Sequence, residues 1–378
     1  MSLYPLLPFS QLVYDASRWV PSIYRYGMTM RIAGGAKDEH KWREAIRKAI
    51  ANHPVFSTRI DGRGCQYAAQ TPDLFCGKYH HVSLRTDNDD LLISGWLNRI
   101  LGDGKSLAIW MDDIRRAYNG EALEPDDYFG YLDYVEQLKH SHRYQESHDR
   151  LAEEFADESV PVRPTTDRRL WTLFPPKSGL YAEDYTALRK EIYRFAKSKF
   201  LTMEGFFSLC TALAIAEYCG TDAAALTWAY EGRERPEEQR VFGSLHRDIP
   251  FQIKNLKSKI INHKSDLIHE ARNQIRSGIA NSDYPYTLTA PYNARWNYAV
   301  NVLRVEDEQE LVRLLPQPVE VMSSAPQKYA YALLDVEFHE SIERLEIMYR
   351  YSATHYKGES IRRFAALVRK YAEWLLEQ

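Results

Sequence analysis

Apolar and polar positions recur with two different periods along the chain, and both are seen on either side of residue 100. Residues 91–97 form a mainly apolar segment, which predicts a buried strand. From residue 105 to residue 118 apolar side chains recur at helical spacing, which predicts an amphipathic helix. Asn119 and Gly120 end that helix in the usual way. The stretch therefore predicts a strand, a short loop and a helix in succession.

The same reading extends to the rest of the chain. Helical spacing predicts helices over residues 10–18, 39–52, about 135–156, 202–219, 256–277 and 359–377. Alternating or continuous apolar runs predict strands over residues 28–32, 55–60, 185–193, 224–230, 299–303, 329–338 and 345–351. Residues 157–169 contain two prolines, several charges and no periodicity, which predicts a linker. Helices and strands alternate on both sides of it, so we expect an α/β protein with domains at residues 1–160 and 161–378.

Composition excludes several classes of protein. The chain has 378 residues, of which 44% are hydrophobic, so a large core can form. A net charge of −3 gives no electrostatic reason to bind nucleic acid. The longest apolar run, residues 205–216, is too short to cross a bilayer, and no basic segment precedes an apolar run at the N-terminus. We therefore expect a cytoplasmic protein with neither a membrane nor a nucleic-acid partner.

Metal and nucleotide chemistry is not predicted. The four cysteines show no C-x-x-C spacing; they are Cys65, Cys76, Cys210 and Cys219. The His80-His81 pair is interpreted as a surface pair, because no further metal ligands are suggested nearby. The loop after residue 97 contains Gly102-Asp103-Gly104, but the third glycine of a dinucleotide fingerprint is missing. The chain also lacks the G-x-S-x-G pattern of many hydrolases.

The strand–loop–helix stretch resembles the central motif of the condensation domains of nonribosomal peptide synthetases. These domains belong to the chloramphenicol-acetyltransferase-like superfamily. Their motif is His-His-x-x-x-Asp-Gly, followed by a helix that ends in Tyr-Asn-Gly. Here the Asp-Gly pair is Asp103-Gly104 and the helix ends in the same three residues, 118–120. Asn98 and Arg99 replace the two histidines.

Weaker matches occur in the family's order along nearly the whole chain. They are residues 7–11 (LPFSQ), 52–60 (NHPVFSTRI), 231–251 with its Arg-x-Arg-Pro pattern, and 345–351 before the terminal helix. The resemblance implies two chloramphenicol-acetyltransferase-like α/β sandwich lobes, arranged in a V around a central tunnel.

Two departures from the family pattern concern charge. In the family, an arginine of the second motif pairs with the motif aspartate, but that position is Ser57 here. Arg59 lies two residues further along the predicted strand and hence on the same face. Because an unpaired buried carboxylate is costly, we predict an Arg59–Asp103 pair. The family's late asparagine is replaced by Arg247.

The resemblance implies catalytic positions at Asn98, Arg99, Asp103 and Gly104. In the family, the second histidine accepts a proton from the nucleophile or stabilises the tetrahedral intermediate. A guanidinium such as that of Arg99 cannot accept a proton near neutral pH, but it can stabilise an oxyanion. We expect Asp103 to be structural.

The remaining predicted site residues concern substrate binding; they are Ser106, His246, Arg247 and Trp296. His246 is a candidate substitute base, and an ordinary residue at a strand end is the alternative. Trp296 could line the tunnel or be buried between the lobes. Ser106 also fits the Asp-x-x-x-x-Asp-x-x-Ser frame of the related cyclisation domains, but that match is incomplete because its first position is Asn98.

Two functions follow from the resemblance. The first is acyl transfer that forms an amide or ester from a thioester, carried on the phosphopantetheine of a carrier protein or on coenzyme A, with no bound cofactor. The second is a non-catalytic docking module that binds carrier proteins or a tailoring enzyme. The oxygenase-recruiting domains of glycopeptide assembly lines, which resemble this chain in having arginine at the second-histidine position, are a precedent for docking. A stand-alone acetyltransferase that uses coenzyme A is a third possibility.

Overall fold

The computed structural model describes residues 3–69, 74–169, 176–306, 308–324, 328–341 and 343–377. The chain forms two compact units, each assembled from separate segments. The first unit comprises Met1–Gln137, Glu231–His246 and Glu306–Gln327, and the second comprises Leu138–Tyr230, Arg247–Val305 and Lys328–Gln378. The boundary predicted after residue 160 differs from this division. A sequence boundary can only be contiguous, whereas two later segments return to the first unit.

The elements alternate along the chain as the sequence predicts for an α/β protein. The helices are α1 Pro8–Trp19, α2 Glu39–Asn52, α3 Gly104–Asn119, α4 Tyr128–Leu138, α5 His142–Glu154, α6 Arg189–Ser198, α7 Met203–Cys219, α8 Leu256–Asn262, α9 Lys264–Ala280, α10 Asn293–Trp296, α11 Glu308–Val312 and α12 Gly358–Leu376. The strands are β1 Tyr4–Pro5, β2 Arg25–Ile32, β3 Thr58–Ile60, β4 Cys65–Ala68, β5 His80–Asp87, β6 Asp90–Asn98, β7 Ser178–Asp184, β8 Ala223–Tyr230, β9 Arg247–Lys254, β10 Val300–Glu306, β11 Val319–Ser324, β12 Leu334–Glu340 and β13 Leu345–Ser352.

The first unit is built on a four-stranded antiparallel sheet in the order β11-β2-β6-β5, beside a small sheet in the order β1-β4-β3. Helices α2 and α3 pack against each other, and the rings of Trp42 and Tyr118 lie 4.7 Å apart between centroids. Alternate residues of β6, among them Leu91 and Ile93, are buried. Because β6 is held in the sheet, it fixes the position of residue 98, where the following loop begins.

The second unit is built on a six-stranded sheet in the order β7-β13-β12-β10-β8-β9. Strands β8 and β10 are parallel, and β8–β9, β12–β13 and β13–β7 are antiparallel. Helix α7 is buried from Gly205 to Ala216, as expected for a helix that is apolar on all sides. It contacts α9, α12 and β8, so the core of this unit surrounds it.

The helices predicted at about residues 135–156 and at 256–277 are each divided in two, and the strand predicted at residues 55–60 is a strand only from residue 58. Two further predictions were wrong in the kind of structure. The strand predicted at residues 185–193 is instead a turn followed by the start of helix α6, which buries Ile192 and Ala196 four residues apart. The linker predicted at residues 157–169 packs into the second unit, where Val160 and Val162 are each only 5% exposed. The polar, proline-rich composition of residues 157–169 therefore goes with an irregular backbone that packs on the core, and not with a free linker.

No single helix among the described residues is long and apolar enough to span a membrane, although the bent pair α6 and α7 would satisfy both criteria if taken together.

Candidate active site

Asn98, the last residue of β6, shapes the loop that follows. Its side chain is 1% exposed. The Oδ1 atom accepts a hydrogen bond from the Ile100 N–H at 3.0 Å, and Nδ2 donates to the Ile23 carbonyl at 3.4 Å. Both ends of the amide therefore bond to backbone groups, and Asn98 acts on the site through the loop's conformation.

Asp103 begins helix α3 and caps it. Its Oδ1 accepts from the Ser106 N–H at 3.0 Å, and the Ser106 hydroxyl lies 3.3 Å from the Asp103 N–H, completing a capping box. The same hydroxyl is 2.9 Å from the Gly243 carbonyl. Ser106 is completely buried, and these hydrogen bonds give it a structural role in the loop.

The carboxylate of Asp103 pairs with Arg233, so the predicted Arg59–Asp103 pair is wrong. Arg233 Nη1 donates to Oδ2 and Nη2 to Oδ1, both at 3.0 Å, which is a bidentate pair. The guanidinium and carboxylate side chains are 1% and 5% exposed. Burial opposes ionisation, yet the charge and hydrogen bonds of Arg233 outweigh it and keep the pKa of Asp103 below its usual value.

Asp103 also holds the backbone of the segment that carries Arg233. Its Oδ2 accepts from the N–H groups of Leu245 at 2.9 Å and His246 at 3.1 Å. Arg233 in turn donates to the carbonyls of Val241 and Gly243 within that segment. The motif aspartate thereby fixes residues 241–246 against the start of α3.

A second buried cluster holds the same segment further along α3. His53 Nδ1 lies 2.8 Å from Asp126 Oδ2, and its Nε2 lies 3.2 Å from Asp113 Oδ2. Arg240 bonds to Asp113, and the Phe242 N–H donates to Asp126 at 3.1 Å. Burial lowers the pKa of His53, but the hydrogen bonds and charges of the two carboxylates prevail and raise it above its usual value.

The two candidate catalytic side chains meet at Phe9. The imidazole of His246 lies 3.9 Å from the Phe9 ring between centroids, and the guanidinium carbon of Arg99 lies 5.8 Å from the same ring. Burial, followed by the positive charge of Arg99, lowers the pKa of His246 to about 4, although Asp103 opposes the shift. His246 is thus neutral near pH 7. Its Nδ1 atom is buried and has no hydrogen-bond partner among the described residues.

The remaining predicted residues lie elsewhere. Arg247 belongs to the second unit, where its Nη1 donates to Ser282 Oγ at 2.7 Å and lies 3.3 Å from Asp283 Oδ1. Trp296 is 4% exposed and packs edge-on against Phe155 at 5.5 Å, so the structure uses it as a core residue of that unit. Burial of a large aromatic within a unit explains its place without a substrate.

His80, interpreted from sequence as part of a surface pair, is in fact buried. It is 2% exposed, and its Nε2 lies 3.0 Å from the Leu74 carbonyl. Within the described ranges, no group of three or more histidine, cysteine or acidic residues is arranged to hold a metal ion.

The family model for the condensation domain matches residues 99–378. The chain belongs to the condensation-domain family. The predicted family and its α/β fold are therefore confirmed. No curated protein matches the chain significantly.

Solved structures of condensation-type domains superpose on this condensation domain over nearly its whole length. The condensation domain of Monacolin K polyketide synthase MokA matches with a TM-score of 0.79 at 12% identity, covering 100% of this chain and 98% of that one. The X-domain from teicoplanin biosynthesis matches with a TM-score of 0.77 at 14% identity, covering 98% and 94%. The starter condensation domain of rhizomide synthetase RzmA, a mutant complexed with C8-CoA and Leu-SNAC, matches with a TM-score of 0.73 at 13% identity, covering 99% and 94%. At these identities the likeness concerns the fold.

Sequence reasoning missed Arg233 and the His53 cluster as parts of the site. Arg233 stands in the Arg-x-Arg-Pro pattern that the sequence displays, but its partner is 130 residues away along the chain. The sequence signal for the cluster is Asp113, an acid on the helix that carries the predicted apolar stripe. The structure buries this acid completely. An acid on a buried helix face requires a partner.

Proposed function

We propose that this condensation domain transfers an acyl group from a thioester to an amine or hydroxyl. The thioester is carried by coenzyme A or by the phosphopantetheine of a carrier protein. The observation that supports it best is the neutral imidazole of His246 beside the cationic Arg99, next to the motif loop. Together they offer a proton acceptor and an oxyanion-stabilising cation without the family's two histidines.

The proposed reaction conserves atoms and charge. The lone pair of the acceptor amine attacks the thioester carbonyl carbon and forms a C–N bond, while the carbonyl oxygen becomes an oxyanion. Arg99 stabilises that oxyanion with its fixed charge and its N–H donors. As the C–S bond breaks, the amine proton passes through His246 to the departing thiolate, which leaves as a thiol. A hydroxyl acceptor reacts in the same way and gives an ester.

In this proposal, Asp103 and Arg233 position the reacting groups and do not touch substrate. Both side chains are buried and bonded to one another. Asp103 accepts a hydrogen bond from the backbone N–H of His246 at 3.1 Å, so it fixes the backbone from which the imidazole extends. Holding reactants and catalytic groups in place can account for about 7–11 kcal/mol of a barrier, which makes a weak base sufficient for slow transfer.

The test is product formation. The protein is incubated with octanoyl-CoA and the N-acetylcysteamine thioester of leucine, and the amide product is quantified by mass spectrometry. We expect product from the wild type and at least about 100-fold less from His246→Gln, as for loss of a general base. Arg99→Gln should also lose activity. Arg63→Gln, which alters a side chain that is 77% exposed, is the matched control and should be unaffected.

A second candidate function is docking without catalysis. Arg99 favours it, because a guanidinium cannot accept a proton, and a base with a pKa of about 4, as for His246, is weak near neutral pH. The same protein is then presented with acylated and aminoacylated carrier proteins and with candidate tailoring enzymes. Saturable binding that Arg99→Gln weakens, with no product under any of these conditions, would establish docking in place of acyl transfer.

A further inference from the structure

The segment predicted as a linker forms one wall of a cavity in the second unit. The cavity has a volume of about 500 Å³ and is lined by residues 158–166, by Cys219 at the end of α7, and by Ala294, Arg295 and Tyr298 around α10. That volume lies in the range of small-molecule sites. The proposed acyl transfer uses none of these residues, so the cavity needs an explanation of its own.

The long wall of the cavity is fixed in place by hydrogen bonds on both of its sides. The Pro161 carbonyl accepts from the Ala225 N–H at 2.9 Å, and the Val162 carbonyl accepts from the Val300 N–H at 2.9 Å. The Tyr356 hydroxyl donates to the Pro164 carbonyl at 2.9 Å. Because the wall is tied to the sheet and to the C-terminal part of the unit, a ligand would enter a preformed space and would not have to order it.

The charged side chains that line the cavity are two arginines, Arg163 and Arg295, and one exposed acid, Glu158. Arg163 Nη1 donates to the Tyr298 carbonyl at 3.3 Å, and within the described residues no carboxylate forms an ion pair with this arginine. Arg295 donates to the carbonyls of Phe155 and Val160, and its Nε is buried without a hydrogen-bond partner among those residues. The charges of Glu158 and Asp157 act on Arg295, so it is Arg163, held by a neutral carbonyl, that favours an anion in the space it faces.

The rest of the lining suits a flat apolar body. Tyr298 is 41% exposed, and its ring lies 5.6 Å from the guanidinium carbon of Arg163. Val160, Val162 and Ala294 supply apolar surface, and the hydroxyl-bearing Thr165 and Thr166 lie in the same wall as Arg163. An aromatic ring can pack on Tyr298 while an attached anionic group reaches Arg163.

We propose that this cavity binds a planar organic anion, whose carboxylate or phosphate pairs with Arg163 and whose ring lies against Tyr298. The probes are 2-naphthoate and 2-naphthyl phosphate, which separate the two anionic groups, and neutral 2-naphthamide, which has the same ring. Binding to the full chain is followed by ligand-observed NMR and isothermal titration.

We expect saturable binding of at least one anion, and binding of the amide at least about 10-fold weaker, as for loss of a charge-assisted hydrogen bond. Arg163→Gln should weaken anion binding by about the same factor. The matched control, Arg168→Gln, changes an exposed arginine of the same segment that does not line the cavity. Ala294→Trp places a large side chain at an exposed position of the cavity wall and should abolish binding.

Equal affinities for an anionic probe and for 2-naphthamide would overturn the proposal, and so would anion binding that survives both Arg163→Gln and Ala294→Trp. It is also overturned if neither anion binds saturably at concentrations up to about 10 mM, where a ligand of this size should bind. None of these outcomes depends on acyl transfer, because the site is assayed by binding alone.

Discussion

Replacing Arg233 with methionine tests whether the buried ion pair organises the site. Methionine keeps most of the side chain's apolar volume but leaves the carboxylate of Asp103 buried without its cation. Removal of one partner from a buried pair costs about 3–5 kcal/mol, because the remaining charge is uncompensated. Four hydrogen bonds from other groups still reach Asp103, from the Ser106 N–H and hydroxyl and from the N–H groups of Leu245 and His246. We therefore expect the lower part of that range, about 3 kcal/mol.

The assay is urea unfolding, followed by hydrogen exchange resolved along the chain. With a urea m-value of about 3 kcal/mol/M, a loss of about 3 kcal/mol moves the midpoint of the first unit's transition down by about 1 M. A chain of two units need not unfold in one step, so exchange must identify which transition moves. Exchange at the N–H groups of Leu245 and His246 should accelerate, because both donate to Asp103.

The double variant Asp103→Asn, Arg233→Met is the control for charge. Removing both charges should recover part of the lost stability, because no buried charge remains, although an amide nitrogen cannot accept the hydrogen bonds that one carboxylate oxygen accepts. The reasoning is refuted if Arg233→Met lowers the midpoint by less than about 0.3 M, or if the double variant is as unstable as the single one. Either result would mean that the pair does not hold the segment at residues 241–246.

Three further predictions concern residues of the first unit. The pKa of His53 is raised in the folded state, so its protonated form stabilises the fold fully below the unfolded pKa of about 6.5. That stability is lost as the pH rises through the folded pKa, so the urea midpoint of the wild type should fall relative to that of His53→Gln between pH 6 and pH 9. Midpoints that change in parallel would contradict this. Arg99→Gln should raise the pKa of His246 above about 4 while burial keeps it below 6.5, and an imidazole NMR titration that gives an unchanged value would show that Arg99 does not act on it. At Gly102 an added Cβ would lie 2.7 Å from a Phe242 ring carbon, so Gly102→Ala should lower the free energy of unfolding by about 1–3 kcal/mol. At Gly104 an added Cβ meets nothing within 4 Å, so Gly104→Ala should be nearly neutral. Equal shifts of the thermal midpoint in the two variants would refute the packing argument.

Local patterns were sufficient to predict the elements around the site. The apolar run at residues 91–97 corresponds to β6, and the helical spacing at residues 105–118 corresponds to α3 with one more residue at each end. The strand predicted at residues 185–193 is wrong, because a segment this short holds too few residues to show helical spacing. The buried pair Ile192 and Ala196, four residues apart, is the helical signal that a window extended past residue 193 would have included.

Partners that are distant in sequence could not be predicted in the same way. Arg59 was chosen for Asp103 because a strand places alternate residues on one face. The actual partner, Arg233, reaches it because residues 231–246 return from the middle of the second unit to the first. Nothing in local periodicity encodes that return. His246 was recognised as a candidate base, but its low pKa depends on burial and on Arg99, which only the folded chain brings near.

The most direct test of the account is amide formation from octanoyl-CoA and the leucine thioester, compared between the wild type, His246→Gln and Arg63→Gln. Acyl transfer through His246 predicts product from the wild type and from Arg63→Gln, and a loss of at least about 100-fold in His246→Gln. Equal product from all three proteins would contradict the assignment of His246, and the absence of product from the wild type would contradict acyl transfer from these donors.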